Sequence, residues 1–173
     1  MSEQVTALPP GFGGLKAFLS RLDRLTYWVI VSVIGAMTLI VAIQVIMRYF
    51  FGLSIDSADE LSRLLFVWSI FLAVPHGVRM GIHVGIDVLV GTLSATARDR
   101  IFRATCLVSM LLMAVVCLGA WTATLERWPE LMPTLPLSSG MFYIPLLICA
   151  VHSFLHLLLQ LRCGASVWAG ENP

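Results

Sequence analysis

The stretch from Leu25 to Met47 contains no charged residue and is bracketed by Arg24 and Arg48. A helix crosses a hydrocarbon core about 30 Å thick with about 20 apolar residues, so this run alone confines the chain to a membrane. Three further runs follow. Leu64 to Val78, between Arg63 and Arg79, is too short to cross by itself, so its helix is expected to begin near Asp59 and to continue to the level of Arg79. A third run lies between Arg103 and Glu126, and a fourth follows Pro136 and ends at Arg162. In lipid only helices and closed barrels satisfy the backbone, and nothing here alternates with period two. The expected fold is therefore an all-α integral membrane protein with four transmembrane helices, at about 25–47, 59–80, 104–125 and 138–161. A tail at 1–20, a membrane domain at 21–163 and a second tail at 164–173 complete the division.

Composition agrees with this class. Only 12% of the 173 residues are charged and mean hydropathy is +0.90, against about 25% charged in soluble globular domains. A net charge of +1 with a single lysine, Lys16, gives no electrostatic footprint for nucleic acid. The expected surroundings are membrane lipids.

Orientation follows from the basic residues. Lys16, Arg21 and Arg24 precede the first span; Arg79, Arg98, Arg100 and Arg103 lie between the second and third; Arg162 closes the fourth. These outnumber Arg48, Arg63 and Arg127 on the opposite side, so both termini are expected in the cytoplasm. The first apolar run exceeds the h-region of a signal peptide and is followed by no A-x-A site, so it reads as an uncleaved anchor.

Cys106, Cys117, Cys149 and Cys163 include no C-x-x-C pair and read as small buried hydrophobes. No nucleophile is paired with a base, no phosphate loop is present, and no pair of spans is broken in corresponding places. No catalytic, cofactor or metal site is expected, and the chain does not read as an enzyme or a complete transport core.

The loops carry more information. In the outward loop at 48–63, Asp56, Asp59 and Glu60 lie between Arg48 and Arg63. Ser57 or Asp56 is expected to cap the second helix, with Glu60 and Arg63 paired along its surface. Exposed at the loop tip, Asp56 and Ser57 are either solvated or in contact with an extracytoplasmic partner. Gly77, Gly81 and Gly85 repeat every four residues after Pro75, a face where a helix of this bundle or of another subunit can approach closely. Arg79, His83 and Asp87 share the same spacing and form a polar ridge. Ile82, Ile86, Leu89, Val90 and Leu93 fall on a common arc, so this stretch is expected to be an amphipathic interfacial segment.

The fourth span carries His152, His156 and Gln160 at four-residue intervals, a face that should avoid lipid and meet protein or a cofactor. Interhelical hydrogen bonding is the commoner use of such histidines. The alternative is a cytochrome b-like anchor in which His76 with His152 or His156 ligates haem. In the first span, Gln44 lies one turn before Arg48 and suggests a local polar contact.

The segments QVIMRYFFG at 44–52 and DELSRLLFVWSIFLAVPHGVRMGIHVGID at 59–87 resemble the small membrane subunit of tripartite ATP-independent periplasmic (TRAP) transporters. The resemblance lies in the arginine and aromatics closing the first span, the acidic-Leu-x-Arg start of the second, Trp68, and the series Arg79, Gly81, His83, Asp87. LPLSSGMFYIPL at 135–146 fits the family's entry into its last span. Where the family commonly has a glycine after the Phe-Leu of the second span, this chain has Ala73 and then Pro75.

The resemblance implies an inner-membrane scaffold in a sodium-coupled importer of an organic acid. Its implied partners are a large elevator-type membrane subunit and a periplasmic substrate-binding protein. On that reading Arg48, Asp56, Ser57, Asp59, Glu126 and Glu130 would contact the binding protein. Trp68, Gly77, Gly81, His152 and His156 would serve packing within or between subunits. Almost all charges lie at span ends or in loops, which suits a scaffold better than a conduit.

Overall fold

A computed structural model describes residues 12–80 and 95–163. Among the described residues the chain forms four long helices: α1 Phe12–Phe51, α2 Asp56–Arg79, α3 Ala95–Arg127 and α4 Ile144–Cys163. All four are long and apolar enough to cross a membrane. Gly81, Gly85, His83, Asp87 and the expected amphipathic segment lie outside the described residues.

At 1.5 Å per residue the 40 residues of α1 reach about 60 Å, far more than a bilayer core requires. The helix thus begins well before the uncharged run, at Phe12, and its first part carries Leu15, Leu19 and Asp23 onto the bundle. It ends where Gly52 adopts φ 65, a conformation that costs a glycine little. There the Leu53 N–H returns to the Met47 carbonyl at 3.2 Å, and the chain reverses into α2.

The start of α2 differs from expectation. Its N-cap is Ile55, with no side-chain cap, and Asp56 instead accepts a hydrogen bond from the Ser54 hydroxyl at 3.3 Å. Glu60 makes no ion-pair contact with Arg63, whose charge acts on it only from farther away. Its carboxylate accepts from the backbone and hydroxyl of Thr134, fixing α2 to the segment between α3 and α4. Pro75 is accommodated inside α2, buried, one turn before the helix closes through the Met80 N–H to His76 O at 3.1 Å.

In packing order the helices run α1, α2, α4, α3, so that α4 lies between α2 and α3 and touches α1 only over a short length. Two apolar clusters sit at the end of the bundle where α1 starts and α4 stops. Leu19 meets Leu159, flanked by Phe12, Leu15 and Leu155. Val78 meets Cys106 and Leu157, flanked by Val74, Phe102 and Met110. Burial of Cys106 and Cys149 bears out their reading as small hydrophobes, and Cys117 and Cys163 are partly buried.

At the opposite end a short hairpin joins α3 to α4. Leu131 bridges to Ser138, Met132 N donates to Leu137 O at 2.8 Å, and Ser139 N donates to Glu130 O at 2.7 Å. A 3-10 turn, Ser139–Phe142, then leads into α4. Gly140 is required here by space: a Cβ would come within 3.0 Å of Thr124 O and 3.1 Å of the Trp128 ring. The Trp68 indole N–H donates to Met141 O at 3.1 Å, tying mid-α2 to this turn.

Candidate functional site: a buried histidine-carboxylate cluster

The polar face of α4 is turned inward. His152, His156 and Gln160 are all buried, as their spacing and the cost of polar groups in lipid lead one to expect. What they meet is Asp23, on the early part of α1. Its Oδ1 lies 2.9 Å from His152 Nε2 and 3.0 Å from His156 Nε2, and the two ring nitrogens are 3.1 Å apart. The other oxygen, Oδ2, accepts from Arg79 Nη1 at 3.1 Å.

Arg79, expected on a polar ridge with His83 and Asp87, is turned inward. Only 7% exposed, it reaches from the last turn of α2 into the bundle. The physical reason is the fully desolvated Asp23, 2% exposed, whose charge would otherwise stand unpaired in an apolar setting. A charge-assisted bond to an arginine is the strongest compensation a protein offers. The rim assigned to Asp23 and Arg79 by their positions near span ends is, in three dimensions, an interior.

Two further contacts join the same three helices. His76 Nε2 lies 3.1 Å from the main-chain oxygen of Asp23 and, that oxygen being an acceptor only, donates to it. The Gln160 amide donates to Val78 O at 2.8 Å and to Arg79 O at 3.3 Å. These carbonyls lie in the last turn of α2, and a side chain from α4 donates to both. Thr26 folds its hydroxyl back onto Leu22 O and Asp23 O, both at 3.0 Å.

A haem reading gains nothing from this geometry. The His76 and His152 ring centroids are 6.5 Å apart, but His76 Nε2 addresses the Asp23 backbone and His152 Nε2 its carboxylate. The histidines serve interhelical bonding. A single ion is a different matter: one ligand atom each from Asp23, His152 and His156 fall within 4.8 Å of one another.

The remaining residues singled out in the sequence are dispersed. Trp68 is partly buried on Met141. A Cβ at Gly77 would meet nothing within 4 Å among the described residues. Arg48 and Asp56 are exposed and Ser57 is partly buried near the turn between α1 and α2. Asp59 accepts from Gln44 Nε2 at 2.7 Å, so the polar contact of Gln44 reaches across to α2 and is not the local one expected. Glu126 is exposed at the end of α3, and Glu130 pairs with Arg127 at 2.8 Å. The bond from Thr134 to Glu60 joins the hairpin between α3 and α4 to the first turns of α2.

Asp23 is the residue that sequence reasoning missed. It sits between Arg21 and Arg24 and passes there for one more charge in a rim. A carboxylate at the same expected depth as the His152 face was the available signal.

Comparison with known proteins supplies the family. Residues 37–166 match the profile of the tripartite ATP-independent periplasmic transporters, DctQ component. The chain is 32% identical over 102 residues to the C4-dicarboxylate TRAP transporter small permease protein DctQ of Vibrio cholerae, covering 57% of this chain and 43% of that protein. Proteins of the same name show 49% identity over 47 residues in Rhodobacter capsulatus and 27% over 131 in Pseudomonas aeruginosa. They cover 27% and 59% of this chain, and 21% and 62% of those proteins. The chain thus spans less than half the length of the Vibrio cholerae relative. These relatives are components of transporters, and the four apolar helices agree with a multi-pass protein of the bacterial inner membrane. With its match running through all four helices, the chain belongs to the DctQ family, the small membrane component of TRAP transporters.

Proposed function

We propose that this chain is the stationary small subunit of a sodium-coupled TRAP importer for an organic acid. By analogy with the relatives named for it, a C4-dicarboxylate is the first substrate to test. The observation that carries the scaffold reading is the distribution of burial. None of the most apolar stretch of α1 and only 6% of that of α3 is buried in the fold. Val31, Ile34, Leu39 and Val41 on α1 and Val108, Leu111, Val115 and Leu118 on α3 are exposed. Such faces are satisfied by lipid and by a large membrane partner. The polar groups inside the bundle are tied to one another between α1, α2 and α4, an arrangement suited to rigidity. In this scheme the large subunit carries substrate and ion and moves by an elevator motion against the fixed bundle.

Both termini face the cytoplasm, as the basic residues favour. The surface formed by the α1–α2 turn and the α3–α4 hairpin then lies in the periplasm, where Arg48, Asp56, Ser57, Asp59, Glu126 and Glu130 receive the substrate-binding protein. Gly77 and Gly81, with no close neighbour at Gly77 among the described residues, offer a path for a helix of the large subunit. His152 and His156 serve packing within the chain, and Trp68 anchors the last turn before α4. Co-expression with the large subunit tests the scaffold: the two should co-purify, and Gly77→Leu should disrupt the complex. Uptake by this chain alone in liposomes would refute the reading. For docking, Asp56→Lys with Asp59→Lys should lower binding-protein-dependent uptake while the complex stays assembled; unchanged uptake would remove that assignment.

A further inference from the structure

We infer that Asp23, His152 and His156 form a binding site for one divalent first-row transition-metal ion, a clamp that fastens α1 to α4. The argument starts from a hydrogen-bond account that does not close. Asp23 Oδ1, His152 Nε2 and His156 Nε2 form a triangle with edges of 2.9, 3.0 and 3.1 Å. A carboxylate oxygen is an acceptor only, and a neutral imidazole has one N–H. If both rings are protonated at Nε2, both donate to Oδ1, and the nitrogen-to-nitrogen edge sets two hydrogens against each other. If one ring is bare at Nε2, its lone pair faces the lone pairs of Oδ1. Each proton arrangement leaves one edge without an attractive contact. A cation capping the triangle satisfies all three lone pairs together.

The dimensions fit such an ion. Ligands about 2.1 Å from an octahedral metal are separated along an edge by about √2 times that distance, close to 3.0 Å. Two imidazoles and a carboxylate on one face are the donor set of the 2-His-1-carboxylate facial triad, which suits divalent iron, manganese, cobalt and zinc. The i, i+4 spacing of His152 and His156 places both rings on one side of α4, with centroids 4.9 Å apart. All three ligands are held among packed side chains, each 2% exposed or less. Arg79 donates to the second carboxylate oxygen and so orients the ligand, as outer-shell partners of metal-bound carboxylates do. Its positive charge also opposes the ion, so the site is expected to exchange its metal and to be filled by titration.

The test uses the full chain in detergent, purified with a tag that contains no histidine and stripped with chelator. Titration with Co2+ should give visible d–d absorption saturating at one ion per chain, and Co2+ or Zn2+ should raise the unfolding temperature. His152→Gln should weaken Co2+ binding by more than about 100-fold. His76→Gln, which removes a histidine whose Nε2 is used on the backbone, should leave Co2+ binding unchanged. Should His152→Gln fail to fold, X-ray absorption of the Zn2+-loaded wild type decides instead: two imidazoles and one carboxylate in the coordination shell support the site. A folded wild type that takes up no Co2+ overturns the inference and leaves a hydrogen-bonded cluster. Binding that survives loss of His152, or a coordination shell without two imidazoles, overturns it equally. None of these measurements involves uptake, so the result is separate from the transporter reading.

Discussion

Helices α1 and α4 are both apolar enough to cross a membrane, yet the fold treats them in opposite ways. None of the most apolar stretch of α1 is buried within the chain, whereas 44% of the corresponding stretch leading through α4 is. The difference lies in the polar residues. His152, His156 and Gln160 give α4 a face that lipid rejects, so it takes the central place between α2 and α3. The long middle of α1 has no such face, and only its first part, with Leu19 and Asp23, turns into the bundle. In a membrane the position of a helix is thus set less by how apolar it is than by where its few polar groups must go.

The sharpest way to break this contrast is to remove what draws α1 inward. Asp23→Ala leaves Arg79 buried without its carboxylate and should destabilise the chain by about 3–5 kcal/mol, read as a large fall in the detergent unfolding temperature. An unfolding temperature within a degree of wild type would show that α1 is held by its apolar contacts alone. Next in size is Gly140→Val at the entry to α4. Its added atoms meet the Thr124 carbonyl and the Trp128 ring, so a loss of about 1–3 kcal/mol is expected, with faster proteolysis at the hairpin as a second readout.

Trp68→Phe keeps the aromatic bulk and removes only the bond to Met141 O; about 1 kcal/mol should be lost. Leu39→Ala, on the outward face of α1, should leave the stability of the isolated chain almost unchanged and weaken co-purification with the large subunit. A marked stability loss in the isolated chain would mean that the face is covered from within. Thr134→Val should have the smallest effect on unfolding, since it removes only the exposed hydroxyl bond to Glu60 and keeps the backbone N–H bond; it loosens the hairpin on α2 and should show as modestly faster amide exchange at 131–138.

The four helices and the inward face of α4 were legible in the chain because both rest on the same rule, the cost of charge and polarity in hydrocarbon. The details that went astray share a different cause. Glu60 was matched with Arg63 because i, i+3 neighbours are visible along one helix, while Thr134 comes from a distant loop. The cap assigned to Ser57 or Asp56 failed because the N-cap position falls at Ile55, so that Asp56 is already the first residue of α2 and bonds Ser54 instead. Arg79 was placed on a surface ridge by its spacing with His83 and Asp87; its partner, Asp23, stands on another helix.

Length, charge-free runs and the basic bias at their ends determined by themselves that this is a four-span membrane chain, and the order of its motifs pointed to the family that the comparisons establish. The tertiary structure alone decided which charges are interior. Asp23 and Arg79 lie far apart in sequence, and only the packing of α1, α2 and α4 brings them onto one another and onto His152 and His156. A hydrophobic period is a property of one helix, but the pairing of a buried charge is a property of three.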